Sequence, residues 1–236
     1  MYTSNHRLNS PAQWGRRGPV PAYRIQCKLD PARVDFIPML DKIIIIGPQG
    51  AGKGTQAELL CNDYDFVHIS IGEIFRWHMD HHTKLAARVQ RIMNEGRLVP
   101  DEIVAEVVSK RLQEHDWNWG FVLDGFPRTR SQAEYLFENW NLDKAVYLDI
   151  PDKIVHDRVM TRAALGQGGG FTKRADDNPQ ALRVRLAEFH EKTAPLLQLF
   201  QNKNMLLTID GNRTIQDVYA DVVEELELGQ PIRKHE

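Results

Sequence analysis

The chain has 236 residues, which is enough for one substantial hydrophobic core with small inserted segments. Its 30 Lys and Arg residues nearly balance 32 Asp and Glu residues, and the formal charge of -2 argues against a nucleic-acid partner. No apolar stretch approaches the ~18 residues of a membrane span, so we expect no membrane partner. Cys27 and Cys61 are too few for a cysteine-rich zinc site, and two lone thiols suit a reducing compartment such as the cytoplasm.

Residues 1–38 differ in composition from the rest of the chain. They are rich in arginine, contain scattered prolines and carry no acid before Asp30. We favour a poorly ordered extension. Two alternatives remain open: an organellar transit segment, although its prolines argue against an amphipathic helix, and an over-long start, since Met39 directly precedes the first predicted strand. The folded unit is expected to span residues 39–236.

From Lys42 onward strands and helices alternate, which is typical of an α/β fold with a parallel sheet. The predicted strands are Lys42–Ile46, Phe66–Ile69, Gly120–Leu123, Ala145–Ile150 and Met205–Ile209. An apolar face predicts a helix at Asp101–Gln113. A cap at Asn178 predicts a helix from Pro179 to about Phe200, and a capping-box pattern from Thr214 predicts the last helix.

Two segments interrupt this alternation. Residues 70–100 read as a helical insertion between the second and third strands. Residues 163–173 contain four glycines, at positions 166, 168, 169 and 170, and arginines flank them. A glycine-rich segment between charged ends predicts a mobile flap.

A glycine-rich stretch, Gly-Pro-Gln-Gly-Ala-Gly-Lys-Gly-Thr at residues 47–55, follows the apolar run Ile43–Ile46. Such a turn between a buried strand and a helix points successive backbone N–H groups at one spot, where the helix N-terminus adds positive potential. Lys53 adds a full charge for the outer phosphates. The pattern predicts a nucleoside triphosphate site, although Gly54 stands where Ser or Thr usually holds magnesium and Thr55 comes one place later.

Asp124 follows the third predicted strand directly. Because ligands bind at the carboxyl ends of parallel strands, we expect this carboxylate to hold magnesium through water. The alternative is a loop-start aspartate that caps a neighbouring backbone group.

Several arginines lie on different predicted elements, at positions 76, 128, 158, 162, 174 and 185. Any one of them alone reads as a surface ion pair, for which Asp176 and Asp177 offer partners. Together they suit a protein that binds two phosphorylated substrates and clamps the group passing between them.

These motifs resemble those of the adenylate kinases, in the nucleoside monophosphate kinase family, and specifically the short-lid type. The matching motifs, all in family order between Met39 and Leu226, are Gly47–Gln56, Gly72–Arg76, Gly96–Asp101, Gly125–Thr129 with Gln132, Asp157-Arg158 with Arg162, Arg174–Asn178 with Arg185, Thr193–Pro195 and Asp210-Gly211. The Gly-Lys-Gly-Thr order is itself the form of this family.

The resemblance implies a five-stranded P-loop sheet flanked by helices, an acceptor-binding insertion at about 70–100 and a short lid at about 163–173. It implies reversible transfer of the ATP γ-phosphoryl group to a nucleoside monophosphate, with AMP expected, in adenine nucleotide homeostasis. Mg2+ is the implied cofactor, ATP, AMP and ADP are the implied partners, and the protein is expected to be a cytoplasmic monomer. Long-lid relatives carry zinc-binding cysteines in the lid, and this lid has none, so no structural zinc is expected.

The resemblance also assigns the ATP side. The implied ATP-binding residues are Gly50, Ala51, Gly52, Lys53, Gly54, Thr55, Arg158, Arg162 and Arg213. Arg158 and the backbone near Arg213 would contact the base. The implied catalytic residues are Lys53, Arg128, Arg162, Arg174 and Arg185, of which the last three would close over the transferring group.

On the acceptor side, the implied residues are Ile71, Arg76, Arg97, Leu98, Val99, Gly125, Phe126, Pro127, Arg128, Gln132, Arg174 and Arg185. Arg76 and Arg128 would grip the α-phosphate. Leu98 and Val99 would line the base pocket, and Gln132 would hydrogen-bond the base.

One position departs from the family pattern: Ile71 replaces the usual Thr, and isoleucine cannot hydrogen-bond a base. A UMP/CMP kinase is therefore the alternative, although such relatives tend to have Asn where this chain has Gln132. A nucleotide-binding regulator without catalysis is a second alternative, against which Lys53, Asp124 and the arginines argue. A P-loop GTPase is remote, because the chain lacks an Asn-Lys-x-Asp run.

Overall fold

The computed structural model describes residues 42–114, 120–165 and 177–231, all within the compact unit Met39–Glu236. The predictions for residues 1–38, for Arg174 and Asp176, and for most of the flap at 163–173 lie outside the described residues.

Five parallel strands form one sheet. They are β1 Lys42–Ile46, β2 Val67–Ser70, β3 Phe121–Asp124, β4 Lys144–Asp149 and β5 Leu206–Asp210, in the order β2-β3-β1-β4-β5. Each neighbouring pair is parallel. The predicted parallel α/β fold is confirmed, and each strand lies within one residue of its predicted bounds.

The central strand β1 is buried on both faces. Its four isoleucines, Ile43–Ile46, are at most 3% exposed. Alternate residues point to opposite faces of a strand, and Ile44 and Ile46 accordingly pack in one apolar cluster while Ile43 and Ile45 pack in another. Burial on both faces explains why this strand reads as an unbroken apolar run.

Nine α-helices surround the sheet in the described residues. They are α1 Lys53–Tyr64, α2 Ile71–Asp80, α3 Lys84–Asn94, α4 Asp101–Gln113, α5 Arg130–Asn139, α6 Asp152–Leu165, α7 Pro179–Glu188, α8 Leu196–Asn202 and α9 Ile215–Glu225. The bounds of α4 and the start of α7 are as predicted. Side-chain caps at Asn178 and Thr214 accept hydrogen bonds from Ala181 N and Asp217 N, which confirms both predicted helix starts.

The predicted continuous helix from Pro179 to Phe200 is wrong. α7 ends at Glu188, a π-helical turn spans Phe189–Thr193, and α8 begins at Leu196. Within that turn Ala194 N donates to Phe189 O at 2.8 Å, five residues back. Pro195 has no N–H, and its ring clashes with the carbonyl four residues earlier in an α-helix, so a regular helix cannot pass through it.

The helical insertion between β2 and β3 approaches α7 at Gly96, just after α3. Gly96 has φ +79°, and a Cβ there would lie 2.3 Å from Ala181 O on α7. Both the backbone conformation and the close approach require glycine. Gly52 provides a comparison, because it has φ +97° with nothing within 4 Å of the position of a Cβ.

We therefore expect Gly96→Ala to be more destabilising than Gly52→Ala. Both substitutions carry the left-handed backbone penalty of about 1–2 kcal/mol, and Gly96→Ala adds an overpacking cost of about 1–3 kcal/mol. Urea unfolding of both variants measures the difference. Equal losses in the free energy of unfolding would contradict the close approach of α3 and α7.

Candidate active site

Residues 47–52, here called the glycine-rich loop, connect β1 to α1. Gly50 and Gly52 both have positive φ, at +86° and +97°. Gly52 is the N-cap of α1 and offers no side-chain oxygen to the first turn. The backbone N–H groups at the start of α1 therefore point toward the loop, which is the arrangement that binds anions at a helix N-terminus.

Lys53, the first residue of α1, lies against this loop. Its Nζ donates to Gly47 O and to Pro48 O, each at 2.8 Å. The side chain therefore folds back over the loop and does not extend into solvent. Its charge adds to the positive potential of the helix N-terminus at the same place.

Asp124 ends β3 and is 9% exposed. Its Oδ2 accepts a hydrogen bond from Ser70 Oγ at 3.4 Å, while its buried Oδ1 has no hydrogen-bond partner. A Cβ at Gly54 would lie 3.7 Å from Oδ2, so the carboxylate faces the first turn of α1. A buried carboxylate oxygen without a donor is costly unless a cation or its water ligands contact it.

These residues fit a magnesium ion held mainly by nucleotide. Mg2+ keeps several waters and binds proteins through one or two carboxylates together with substrate phosphates. Asp124 supplies such a carboxylate beside the glycine-rich loop. No group of three or more His, Cys, Asp or Glu side chains able to hold a metal occurs among the described residues.

Arg162 and Asp177 form a bidentate ion pair. Arg162 Nε donates to Asp177 Oδ2 at 2.7 Å, and Nη2 donates to Oδ1 at 2.5 Å. The Asp177 side chain is 0% exposed and that of Arg162 is 14% exposed. The predicted ion-pair partner Asp177 is therefore confirmed for Arg162, and the pair is partly buried, because Asp177 is enclosed while Arg162 keeps some exposure.

A cleft lies between the helical insertion and the end of β3. Its lining residues are Ile71, Gly72, Phe75, Met93, Arg97, Leu98, Val99, Val104, Gly125, Arg128, Gln132 and Arg185. Eight of these were predicted as site residues. The four that sequence reasoning missed are Gly72, Phe75, Met93 and Val104, of which Phe75 falls one helical turn after Ile71 and so could have been found from spacing.

Gln132 lines the cleft and its amide is held by two hydrogen bonds. Oε1 accepts from Arg128 N at 2.7 Å, and Nε2 donates to Asp101 Oδ1 at 2.7 Å. The other oxygen of Asp101 accepts from Thr129 Oγ1 at 2.7 Å and from Ser131 Oγ. These bonds assign the orientation of the amide, and one N–H and one oxygen lone pair stay available for a ligand.

Arg128 is held at three points. Its Nε donates to Gly125 O at 2.9 Å, and its backbone N donates to Gln132 Oε1. Its carbonyl accepts from Thr193 Oγ1 at 2.9 Å. A Cβ at Gly125 would lie 3.0 Å from Arg128 Nη2, so the guanidinium covers Gly125. The side chain of the neighbouring Phe126 packs in the hydrophobic core and does not line the cleft.

Four further predicted site arginines each contact a different part of the structure. Arg76 covers Gly72, with Nη1 3.0 Å from the position of a Cβ there. Arg97 lies at the cleft with its side chain 63% exposed. Arg158 Nη2 donates to Gly211 O at 3.0 Å, and Arg213 pairs with Asp221 on α9.

Cys61 on α1 is no nucleophile at neutral pH. Burial, with a smaller contribution from the nearby Glu58 carboxylate, raises the pKa of its thiol to about 12. The reactive thiolate therefore does not form under ordinary conditions. This thiol offers no covalent route for group transfer.

A family model described as adenylate kinase matches residues 45–205 of this chain. The chain belongs to the adenylate kinase family. The chain is 36% identical to an adenylate kinase of Clostridium botulinum (strain Eklund 17B / Type B) over 211 residues, which cover 78% of this chain and 98% of the relative. It is 40% identical to an adenylate kinase of Leuconostoc mesenteroides over 194 residues, which cover 80% of this chain and 98% of the relative. It is 39% identical to an adenylate kinase of Nitrobacter winogradskyi over 199 residues, which cover 82% of this chain and 97% of the relative.

Membership of the adenylate kinase family confirms the predicted resemblance, the P-loop kinase fold and the enzyme class, a phosphotransferase. The names of these relatives do not favour the UMP/CMP kinase or the silent regulator. In the described ranges, no helix is both long enough and apolar enough to span a bilayer.

Proposed function

We propose that this protein catalyses ATP + AMP ⇌ 2 ADP with Mg2+. The observation that carries the proposal is Arg185, which lines the cleft and also donates from Nη1 to Gln49 Oε1 in the glycine-rich loop at 2.5 Å. The loop suits the phosphates of one nucleotide and the cleft suits a second. A single arginine that reaches both lies where a group would pass between them.

On the donor side, the loop N–H groups and Lys53 bind the ATP phosphates. Asp124 would hold Mg2+ through water, and the ion would supply positive charge beside the phosphates. Arg158 and the backbone near Arg213 contact the base. Support for the magnesium role comes from the unpartnered Oδ1 of Asp124.

On the acceptor side, Arg76 and Arg128 bind the α-phosphate of AMP. Leu98 and Val99 contact the base, and Gln132 supplies one donor and one acceptor to its edge. An adenine edge needs this combination, because N1 accepts and the 6-amino group donates. The two fixed bonds of Gln132 support the assignment, since they leave one group of each kind available.

The transfer is direct and in line, without a phosphoenzyme. Phosphoryl transfer requires positioning and cations around the charge of the transferring group rather than covalent chemistry by the protein. Arg162, Arg174 and Arg185 supply these cations. Residues 70–100 bind the acceptor, and residues 163–173 act as the lid that excludes water. The sequence resemblance supports these two assignments and the expected cytoplasmic monomer, whereas composition supports the role of residues 1–38 as an extension.

A coupled assay of ADP formation tests the proposed function, with ATP and magnesium and either AMP, UMP, CMP or GMP as acceptor. We expect a strong preference for AMP. Preference for another acceptor would contradict AMP specificity, although the protein would still be a nucleoside monophosphate kinase. Silence with all four acceptors, in protein that still binds ATP, would overturn the proposal in favour of a regulator.

Asp101→Ala is expected to raise the KM for AMP about tenfold, because the substitution removes the bond that orients Gln132. Glu102→Ala is the matched control. Both residues are acids in the first turn of α4, so both substitutions remove a favourable helix-terminal charge. Steady-state kinetics with AMP measure the effect, and equal KM values in the two variants would contradict an orienting role for Asp101.

Ile71→Thr is expected to increase the preference for AMP over CMP about fivefold, because the hydroxyl offers the base a hydrogen bond that isoleucine cannot make. Ile71 is 3% exposed and lines the cleft. Ile71→Val is the matched control, since valine has the shape of threonine without the hydroxyl. Ratios of kcat/KM for the two acceptors measure the change. Identical ratios in the Thr and Val variants would show that the hydroxyl does not reach the base.

A further inference from the structure

Gln49 places a side-chain amide between an acidic and a basic residue from another part of the chain. Its Nε2 donates to Asp177 Oδ1 at 3.0 Å, and its Oε1 accepts from Arg185 Nη1 at 2.5 Å. Asp177 directly precedes the N-cap of α7, and Arg185 lies in the last turn of that helix. Gln49 therefore connects the glycine-rich loop to both ends of α7.

The two partners of Gln49 reach opposite sides of the site. Asp177 accepts two hydrogen bonds from the guanidinium of Arg162 on α6. Arg185 donates from Nη2 to Met93 O on α3 at 3.0 Å, and Met93 lines the cleft. A continuous series of hydrogen bonds thus runs from α6 through the glycine-rich loop to the wall of the cleft.

The chemistry of the amide suits both neighbours. A carboxylate such as that of Asp177 needs a donor, and a guanidinium such as that of Arg185 needs an acceptor. Glutamine offers both at one end without a charge. A carboxylate at position 49 would repel Asp177, and an apolar side chain would bond neither partner.

We infer that Gln49 is a positioning residue for phosphoryl transfer, which aims the Arg185 guanidinium at the junction of loop and cleft. The inference rests on the proposed function, in which Arg162 and Arg185 bind the transferring group. An arginine that is already aimed loses less conformational freedom when it binds the transition state. The benefit is expected in kcat rather than KM, because the transferring group reaches the geometry and charge distribution that Arg185 is aimed at only in the transition state.

The first test is steady-state kinetics of Gln49→Leu. We expect kcat to fall about tenfold, with the KM values for ATP and AMP within about twofold of wild type. Gln198→Leu on the exposed surface of α8 is the matched control and keeps wild-type kcat. A purely structural role for Gln49 would lower thermal stability without changing kcat per folded molecule, and that result would overturn the inference.

The second test asks whether Gln49 acts through Arg185. In an Arg185→Lys background, Gln49→Leu should lower kcat by no more than about twofold, because the guanidinium that it positions is gone. A full second loss of about tenfold would show independent effects and overturn the inference. If Gln49→Leu does not fold, Gln49→Met replaces it in both tests, since methionine keeps the length of the side chain, loses both hydrogen bonds and is expected to lower kcat likewise.

A third measurement separates this inference from the proposed function. Urea unfolding of Gln49→Leu, Arg185→Lys and the double variant requires no turnover. If the two residues are coupled, the double substitution lowers the free energy of unfolding by less than the sum of the two single losses. If they are independent, the two losses add. Non-additive losses would support the contact even in a protein that used none of the four acceptors, and additive losses would contradict it even in an active adenylate kinase.

Discussion

Lys53→Ala is expected to lower kcat about a thousandfold. The Lys53 side chain brings a full charge to the glycine-rich loop, where its Nζ lies 2.8 Å from both Gly47 O and Pro48 O. Removal of one preorganised donor from a site of developing charge typically costs a factor of about 10²–10³ in kcat. ADP formation from saturating ATP and AMP measures the loss.

The fold of this variant should persist, because Lys53 packs over the loop and contributes no core side chain. Far-UV circular dichroism and the urea midpoint check this point. Lys153→Ala is the control, since Lys153 is an exposed lysine in the first turn of α6, which follows β4 as α1 follows β1. Near-wild-type turnover of folded Lys53→Ala would remove Lys53 from the catalytic residues.

Asp124→Asn is expected to lower magnesium-dependent kcat about a hundredfold without lowering the free energy of unfolding. Asparagine keeps the shape of the side chain and loses the charge that would hold the hydrated ion. The native carboxylate is buried with Oδ1 unpartnered, so its neutralisation relieves a desolvation cost. A magnesium titration of activity and urea unfolding measure the two effects.

Asp149→Asn is the control for this prediction, because Asp149 also ends a strand of the same sheet but is exposed. It should change neither kcat nor the magnesium dependence. If Asp124→Asn retained kcat at every magnesium concentration, the carboxylate would be a structural cap and the ion would be held elsewhere.

The strands and most helices could be predicted because each has a local signal. The run Ile43–Ile46 indicates burial on both faces of β1, and the capping side chains of Asn178 and Thr214 predict where two helices start. The glycine-rich loop is likewise local, since its conformation depends on Gly50 and Gly52. The π turn also had a local signal, Pro195, which a longer helical pattern concealed.

The contacts that organise the site could not be predicted because they join distant residues. Gln49 lies 128 residues from Asp177 and 136 from Arg185 along the chain. Asp101 is 31 residues from Gln132, and its place at the start of α4 reads simply as a favourable helix-terminal acid. Met93 lines the cleft, and its carbonyl accepts from Arg185 on α7, 92 residues away along the chain. Such roles depend on tertiary packing, for which spacing carries no signal.

The π turn changes the angular relation between the two ends of the segment that contains it. In an uninterrupted α-helix, at about 100° per residue, Arg185 and Thr193 would point roughly 80° apart around the axis. The extra residue of a five-residue turn removes most of that difference and leaves about 20°. One side of the segment can then serve both the Arg185 contact with Gln49 and the Thr193 contact with Arg128. A deletion of one residue within 189–193 would therefore convert the turn to regular α-helix and keep the two side chains about 20° apart, since seven residues at about 100° each end about 20° short of two full turns.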